Sequence, residues 1–214
     1  MEKLLNEDVT KQVKEYLNPM KSNVKMVLFT QEDPCNTCQE TKQLLSEVSE
    51  LTDKLTLVEK DLNADASDAE KYGITLTPSF VMLDENDDYQ GVKFNGIPAG
   101  HEINSFLSAL MDMSGIDFGL ADTIGSSLDN LETPVNIKVF VTLSCPHCPG
   151  AVSNAHRLAM SHPNIESEMI EAQTFGEISQ KFNVSGVPKI VINDTHELVG
   201  NQPIQEYLKT IEAL

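Results

Sequence analysis

The sequence predicts an α/β chain made of two tandem copies of one β-α-β-α-β-β-α unit, each led by a helix. Two observations carry this prediction. All 4 cysteines fall in two Cys-x-x-Cys pairs, Cys35-Asn36-Thr37-Cys38 and Cys145-Pro146-His147-Cys148, the second 110 positions after the first. Each pair is followed 43 residues later by a proline that opens an apolar run, at Thr77-Pro78 and Val187-Pro188. A length of 214 residues accommodates two domains of about 100 residues. We therefore divide the chain into residues 1–114 and 115–214, changing over near Met113-Ser114-Gly115.

The elements follow from periodicity. Leu4, Leu5, Val9, Val13 and Leu17 recur at helical spacing over 2–17, and Asn18-Pro19 stops that helix. Residues 25–30, with the apolar run Met26 to Phe29, read as a buried strand. Cys38, Thr41, Leu45, Val48 and Leu51 place a helix that begins at the first cysteine pair. A strand at 55–59, a short helix at 66–72 ended by Gly73, and a strand at 79–83 come next. Turn-rich 84–88 links that strand to a hairpin partner at 89–94, and 102–111 closes the unit as a helix. The second half repeats the order. It has a helix near 118–131 ended before Pro134, a strand at 135–142, and a helix from Cys145. A strand at 165–170, a helix at 175–182, strands at 189–192 and 197–199, and a final helix at 204–214 complete it.

Composition narrows the function classes. The net charge is −18, and Arg157 is the single arginine. Such a surface is a poor partner for nucleic acid or anionic membrane, and its first consequence is solubility. No apolar run approaches the ~20 residues of a membrane span. The stretch from Met1 to Asp8 carries both charge signs and lacks the apolar core of a secretion signal. The expected location is the cytoplasm, where paired cysteines point to catalysis or metal binding more than to structural cross-links.

A Cys-x-x-Cys at a helix start has physical reasons to be redox active. The first sulfur meets the free N–H groups and the dipole of the helix N-terminus, which favour an anion. That lowers the thiol pKa, and the thiolate is the reactive species. Cys35 and Cys145 are thus the expected attacking sulfurs, with Cys38 and Cys148 as the resolving partners one helical turn on. Pro146 suits a first helical position, and His147 can add positive charge near the Cys145 thiolate. Asn36-Thr37 carries no such charge, so the second pair is expected to be the stronger oxidant. Pro149 is expected to cost an early helical hydrogen bond and to kink the helix.

Other readings compete. Four thiolates could hold zinc, but the separation of the pairs and their helix-start placement argue against a metal site. Structural disulfides would be reduced in a cytoplasm. Asp61 and Glu171 also match at an offset of 110, each at the end of a second strand, and read as loop-facing acids ahead of a proton-shuttling role. His101 reads as a capping-region surface residue, and His156 and His162 as solvated helix and loop positions.

The cysteine pairs and prolines are the marks of a thioredoxin-like unit. The whole chain resembles the two-domain protein disulfide oxidoreductases, also called glutaredoxin-like proteins. The resemblance rests on both cysteine pairs with Pro149, on the stretch from Phe94 to Glu102, and on the run from Val184 to Asn193. It implies two thioredoxin folds joined through their sheets, with cis bonds before Pro78 and Pro188. Thr77 and Val187 would then offer backbone groups to an extended peptide substrate, and the Thr77 hydroxyl could aim at the Cys35 sulfur. It further implies dithiol–disulfide exchange on protein disulfides, with the disulfides Cys35–Cys38 and Cys145–Cys148 as the redox groups, no separate cofactor, and a thioredoxin-reductase-like electron donor. His147 departs from the tyrosine common in the family's C-terminal pair. Thioredoxins carry an acid on the first strand six residues before the nucleophile; Phe29 and Val139 stand there, so that relay is absent or replaced. The alternative reading is a dedicated electron carrier from such a flavoenzyme to a peroxiredoxin. A thiolate metal site or a chaperone-like binding module represents the non-enzyme class.

Overall fold

The computed structural model describes residues 3–32, 34–117, 119–124 and 127–214. The first half contains α1 (Glu7–Leu17), β1 (Val24–Thr30), α2 (Cys38–Ser49), β2 (Leu55–Asp61), α3 (Ala66–Lys71), β3 (Ser79–Leu83) and β4 (Tyr89–Asn95). A 3-10 turn at Gly100–Glu102 then leads into α4 (Ile103–Met113). The second half contains α5 (Ala121–Ile124), β5 (Val135–Val141), α6 (Cys148–Ser161), β6 (Ile165–Glu171), α7 (Gly176–Lys181), β7 (Lys189–Ile192), β8 (His196–Val199) and α8 (Ile204–Glu212).

The strands form one 8-stranded sheet in the order β2-β1-β3-β4-β6-β5-β7-β8. Within each half the first two strands are parallel and the last two antiparallel, as in a thioredoxin unit. The halves meet through β4 and β6, paired in parallel from Val92–Ser167 to Asn95–Ile170. By this topology β1 and β5 run in the same direction. Both cysteine pairs therefore sit at one end of the sheet, four strand spacings or about 19 Å apart before twist. No single zinc ion spans that gap with Zn–S bonds of ~2.3 Å.

Strand alternation divides the core. Met26, Leu28, Phe80 and Met82 face a large cluster shared with α1, α2, α4, α6 and α8. Val27, Phe29, Val81 and Leu83 face the opposite side, against α3. Phe140, Ile170 and Val191 meet the α7 side in the same way. Helix α6 lies astride the junction, packing on β4, β5, β6 and α4. Its Ala151, Ala155 and Ala159 are buried and permit close approach. Gly91, at φ +75°, is required there, because a side chain would collide with the Ile165 carbonyl. Arg157 of α6 holds Asp112 of α4 at 2.8 Å.

Several boundaries differ from the sequence expectation. The first helix starts at Glu7 instead of residue 2, because Asn6 caps it by accepting from the Val9 N–H at 2.9 Å. The Leu4 and Leu5 amides instead donate to the Glu47 carboxylate at 3.0 and 2.9 Å. Of the helix expected over 118–131, Ala121–Ile124 is helical and 127–130 form turns, while Phe118, Gly125 and Ser126 lie outside the described residues. Ile124 and Leu128 are buried, four residues apart. Both cysteine helices begin at the second cysteine of the pair. Pro146 therefore precedes α6, and Pro149 falls in its first turn, where an N–H has no intrahelical partner. The expected hydrogen-bond loss does not occur, and α6 runs from Cys148 to Ser161.

Candidate functional site

Each cysteine pair occupies the loop that leaves the first strand of its half. Cys35 and Cys38 are disulfide-bonded with Cα atoms 5.6 Å apart, and Cys145 and Cys148 likewise at 5.5 Å. In both pairs the second cysteine is the more buried. Cys148 is sealed and Cys38 nearly so, whereas Cys35 is half-buried and Cys145 retains 8% of its surface. The first cysteine lies three residues ahead of the helix start, next to its opening turn.

The prolines stand beside the pairs. The Thr77–Pro78 and Val187–Pro188 bonds are cis. Cys145 Sγ lies 3.8 Å from the Val187 carbonyl oxygen. Thr77, half-buried, lines a cleft together with Cys35. Pro146 and His147 are exposed on the rim of the second pair, with His147 at the N-cap position of α6. At the first pair the rim is polar: Glu32, Glu40, Glu59 and Lys42 line a cleft of about 490 Å³ over both cysteines, and Lys42 pairs with Glu59 at 2.8 Å.

The buried acid is one that sequence reasoning missed. Phe29 and Val139 are fully buried apolar residues, as expected of a chain without the first-strand acid. Glu102, in the turn after β4, has no exposed surface. Burial pushes its carboxyl up to about 7, against the opposing hydrogen bond donated by the Ser105 hydroxyl. Its Oε1 has no hydrogen-bond partner among the described residues. The same turn docks on the loop of the second pair, since the His101 N–H donates to the Leu143 carbonyl at 2.9 Å and the turn packs on α6. The first half thus supplies a buried acid beside the second half's cysteine loop. An acid at a helix start ordinarily reads as a cap, so no local signal marks it.

Asp61 and Glu171 are turn acids, as read from the sequence. Asp61 accepts from the Asn63 and Ala64 amides at 2.9 and 2.8 Å. Glu171, although buried, accepts from the Gln173 and Thr174 amides at 3.2 and 2.6 Å. His101 is exposed, as expected. His156 is a correction: it is sealed, 2.9 Å from the Ser167 hydroxyl and stacked at a tilt on Phe94. Helix α6 turns that face onto the β4–β6 junction, and burial drives the imidazole pKa down to about 3.

Two thioredoxin-like halves, each with a dithiol pair beside an X-Pro loop, define the class of a disulfide oxidoreductase. The comparisons with known proteins agree. Residues 135–213 match the thioredoxin domain family model. The chain is 32% identical over 208 residues to the F component of alkyl hydroperoxide reductase (AhpF) of Staphylococcus aureus, covering 97% of this chain but 38% of that protein. Among solved structures, it resembles the N-terminal domain of AhpF from Enterococcus faecalis, with a TM-score of 0.90, 26% identity, and coverage of 97% of this chain and 99% of that one. It also resembles a protein disulfide oxidoreductase from Aeropyrum pernix, with a TM-score of 0.88, 29% identity, and coverage of 97% and 92%. The chain has the fold of the two-domain disulfide oxidoreductases of the thioredoxin superfamily, and its residues 135–213 match a thioredoxin domain.

Proposed function

We propose that both pairs exchange electrons with protein disulfides. The observation that carries this reading is the repeated placement of a more accessible cysteine ahead of a helix, a buried one at its start, and an X-Pro loop alongside. The Cys35 or Cys145 thiolate attacks a substrate disulfide and forms a mixed disulfide, releasing one substrate thiolate that takes up a proton. Cys38 or Cys148 then attacks the protein sulfur, and the second substrate thiol leaves. The substrate gains two electrons and the pair becomes a disulfide; the reverse sequence forms or isomerises substrate disulfides. In this reading Glu102, whose turn docks on the loop of the second pair, takes the proton that the resolving thiol Cys148 gives up. Thr77 and Val187 offer the extended edge on which a substrate peptide pairs. Pro146 and His147 set the poise of the second pair, which does most of the work on insulin-like disulfides. The acting compartment is the cytoplasm.

This reading is tested with Cys35→Ser and Cys145→Ser variants in an insulin turbidity assay driven by dithiothreitol. Cys145→Ser is expected to be the more damaging, and the opposite order overturns the ranking. A second reading is favoured by the alkyl hydroperoxide reductase relatives, of whose length this chain spans 38%. In it the chain relays electrons from a thioredoxin-reductase-like flavoenzyme to a peroxiredoxin. Peroxide consumption in a reconstituted mixture, with insulin as competitor, separates the two readings by which acceptor is served faster.

A further inference from the structure

The two redox sites share their internal geometry but not their surroundings. In the first half the Gly96 N–H donates to the Pro78 carbonyl at 2.8 Å; in the second, the Gly200 N–H donates to the Pro188 carbonyl at 2.9 Å. These glycine turns form matching rims beside the two X-Pro loops. The residue before each shows the contrast: Asn95 is 2% exposed and Val199 is 67% exposed. The cause is sheet order. β4 is paired with β6, so the second half closes over the first rim, while β8 is the free edge of the sheet. A side chain at Gly96 would meet Glu171 Cβ at 2.8 Å and the Phe175 ring at 3.5 Å, whereas one at Gly200 would meet only the tip of Gln202 at 3.9 Å.

The first pair therefore opens into a cleft of about 580 Å³ whose one wall carries Cys35 and Thr77 and whose other wall is Phe175 and Ile178 of the second half. Phe175 is out of place by local rules. It stands at the N-cap of α7, where the repeat puts the polar Asp65 at the start of α3, although neither side chain makes a capping bond. Its ring is half-buried, packed on the α7 cluster, and reaches the Gly96 rim.

We infer that Phe175 and Ile178 read the substrate of the first redox pair, which is an extended polypeptide segment bearing an apolar side chain beside its disulfide cysteine. This rests on the exchange reading above and deepens it. A segment lying along Thr77 meets Phe175 and Ile178 on its other side, whereas the exposed rim at Val199 has no such wall. Glu177 lines the cleft, and no lysine or arginine does among the described residues, so acidic segments are disfavoured.

The test uses the full chain with Cys145→Ser/Cys148→Ser, reduced beforehand, and two cyclic peptide disulfides differing by Leu or Gly beside one cysteine. Each turnover reduces one peptide disulfide and oxidises Cys35 and Cys38. Unsubstituted Phe175 should favour the Leu peptide by about tenfold in rate constant, the scale of partial burial of an apolar side chain. Phe175→Ala should remove the preference, and so should Phe175→Asp, which gives this position the residue type found at the start of α3 in the first half. The second pair, assayed with Cys35→Ser/Cys38→Ser, should keep its own Leu-to-Gly ratio when Phe175 is changed. Absence of the preference, or its survival in both variants, overturns the inference while 2-hydroxyethyl disulfide is still reduced. Failure to reduce that small disulfide as well overturns the exchange reading itself.

Discussion

Glu102→Gln gives the sharpest test of how the halves cooperate. Glu102 has no exposed surface, and its carboxyl is moved by burial from 4.5 to about 7. At about 1.36 kcal/mol per pH unit, ionising it in the folded protein costs roughly 3 kcal/mol more than in the unfolded chain. The sign follows from the raised value. The folded state keeps the proton where the unfolded state has lost it, so stability is full below about pH 4.5 and declines as pH rises toward 7. Glutamine cannot ionise. In urea denaturation of the oxidised protein, the variant should lack this decline, and the difference between the two proteins should grow by up to about 3 kcal/mol between pH 5 and 8. The buried amide forfeits part of that gain where it finds no partner, but it adds no pH slope. The functional arm uses single-turnover oxidation of the second pair by a peptide disulfide, with Cys35→Ser/Cys38→Ser. An inflection near pH 7 should vanish with glutamine, and the rate at pH 8 should fall at least ~10-fold, the low end for positioned proton transfer. The same pH slope in both proteins, or an inflection that survives, refutes the assignment.

Three further outcomes follow from named contacts. His147→Ala should make the second pair more reducing, because it removes a ring N–H that can hydrogen-bond the Cys145 thiolate; an interaction of ~1.4 kcal/mol corresponds to about 30 mV, read by glutathione titration in the Cys35→Ser/Cys38→Ser background. His156→Phe should reduce acid sensitivity. The depressed pKa means that stability is lost as pH falls from 6.5 toward about 3, at up to ~1.36 kcal/mol per pH unit, and denaturation curves of the variant should lack that component. Arg157→Ala should destabilise by about 3 kcal/mol, because it leaves Asp112, whose side chain is 6% exposed, buried without its guanidinium partner; a thermal shift below that of Asp112→Asn would count against this.

Much of the fold was legible because its signals are local. The unbroken apolar runs Met26 to Phe29 and Phe80 to Leu83 mark strands buried on both faces, and the spacing of Cys38, Thr41, Leu45 and Val48 marks a helix face. The helix ends were less legible. Asn6 is a cap only once its side chain meets the Val9 N–H, and the cysteine helices start three residues later than the motif alone indicates. His156 looked solvated because a histidine in a mixed helix carries no mark of which face is buried. That face was set by the docking of α6 over β4 and β6.

The sequence by itself determined the duplication, the two redox pairs and the prolines beside them, since each is a matter of covalent spacing and residue type. The tertiary structure decided what surrounds them. The pairing of β4 with β6 brings Glu102 of one half to the cysteine loop of the other, and sets Phe175 over the rim of the first site while Val199 stays open at the second. The physical reason is that burial and desolvation depend on what a distant segment covers, and no local pattern in either half encodes its neighbour.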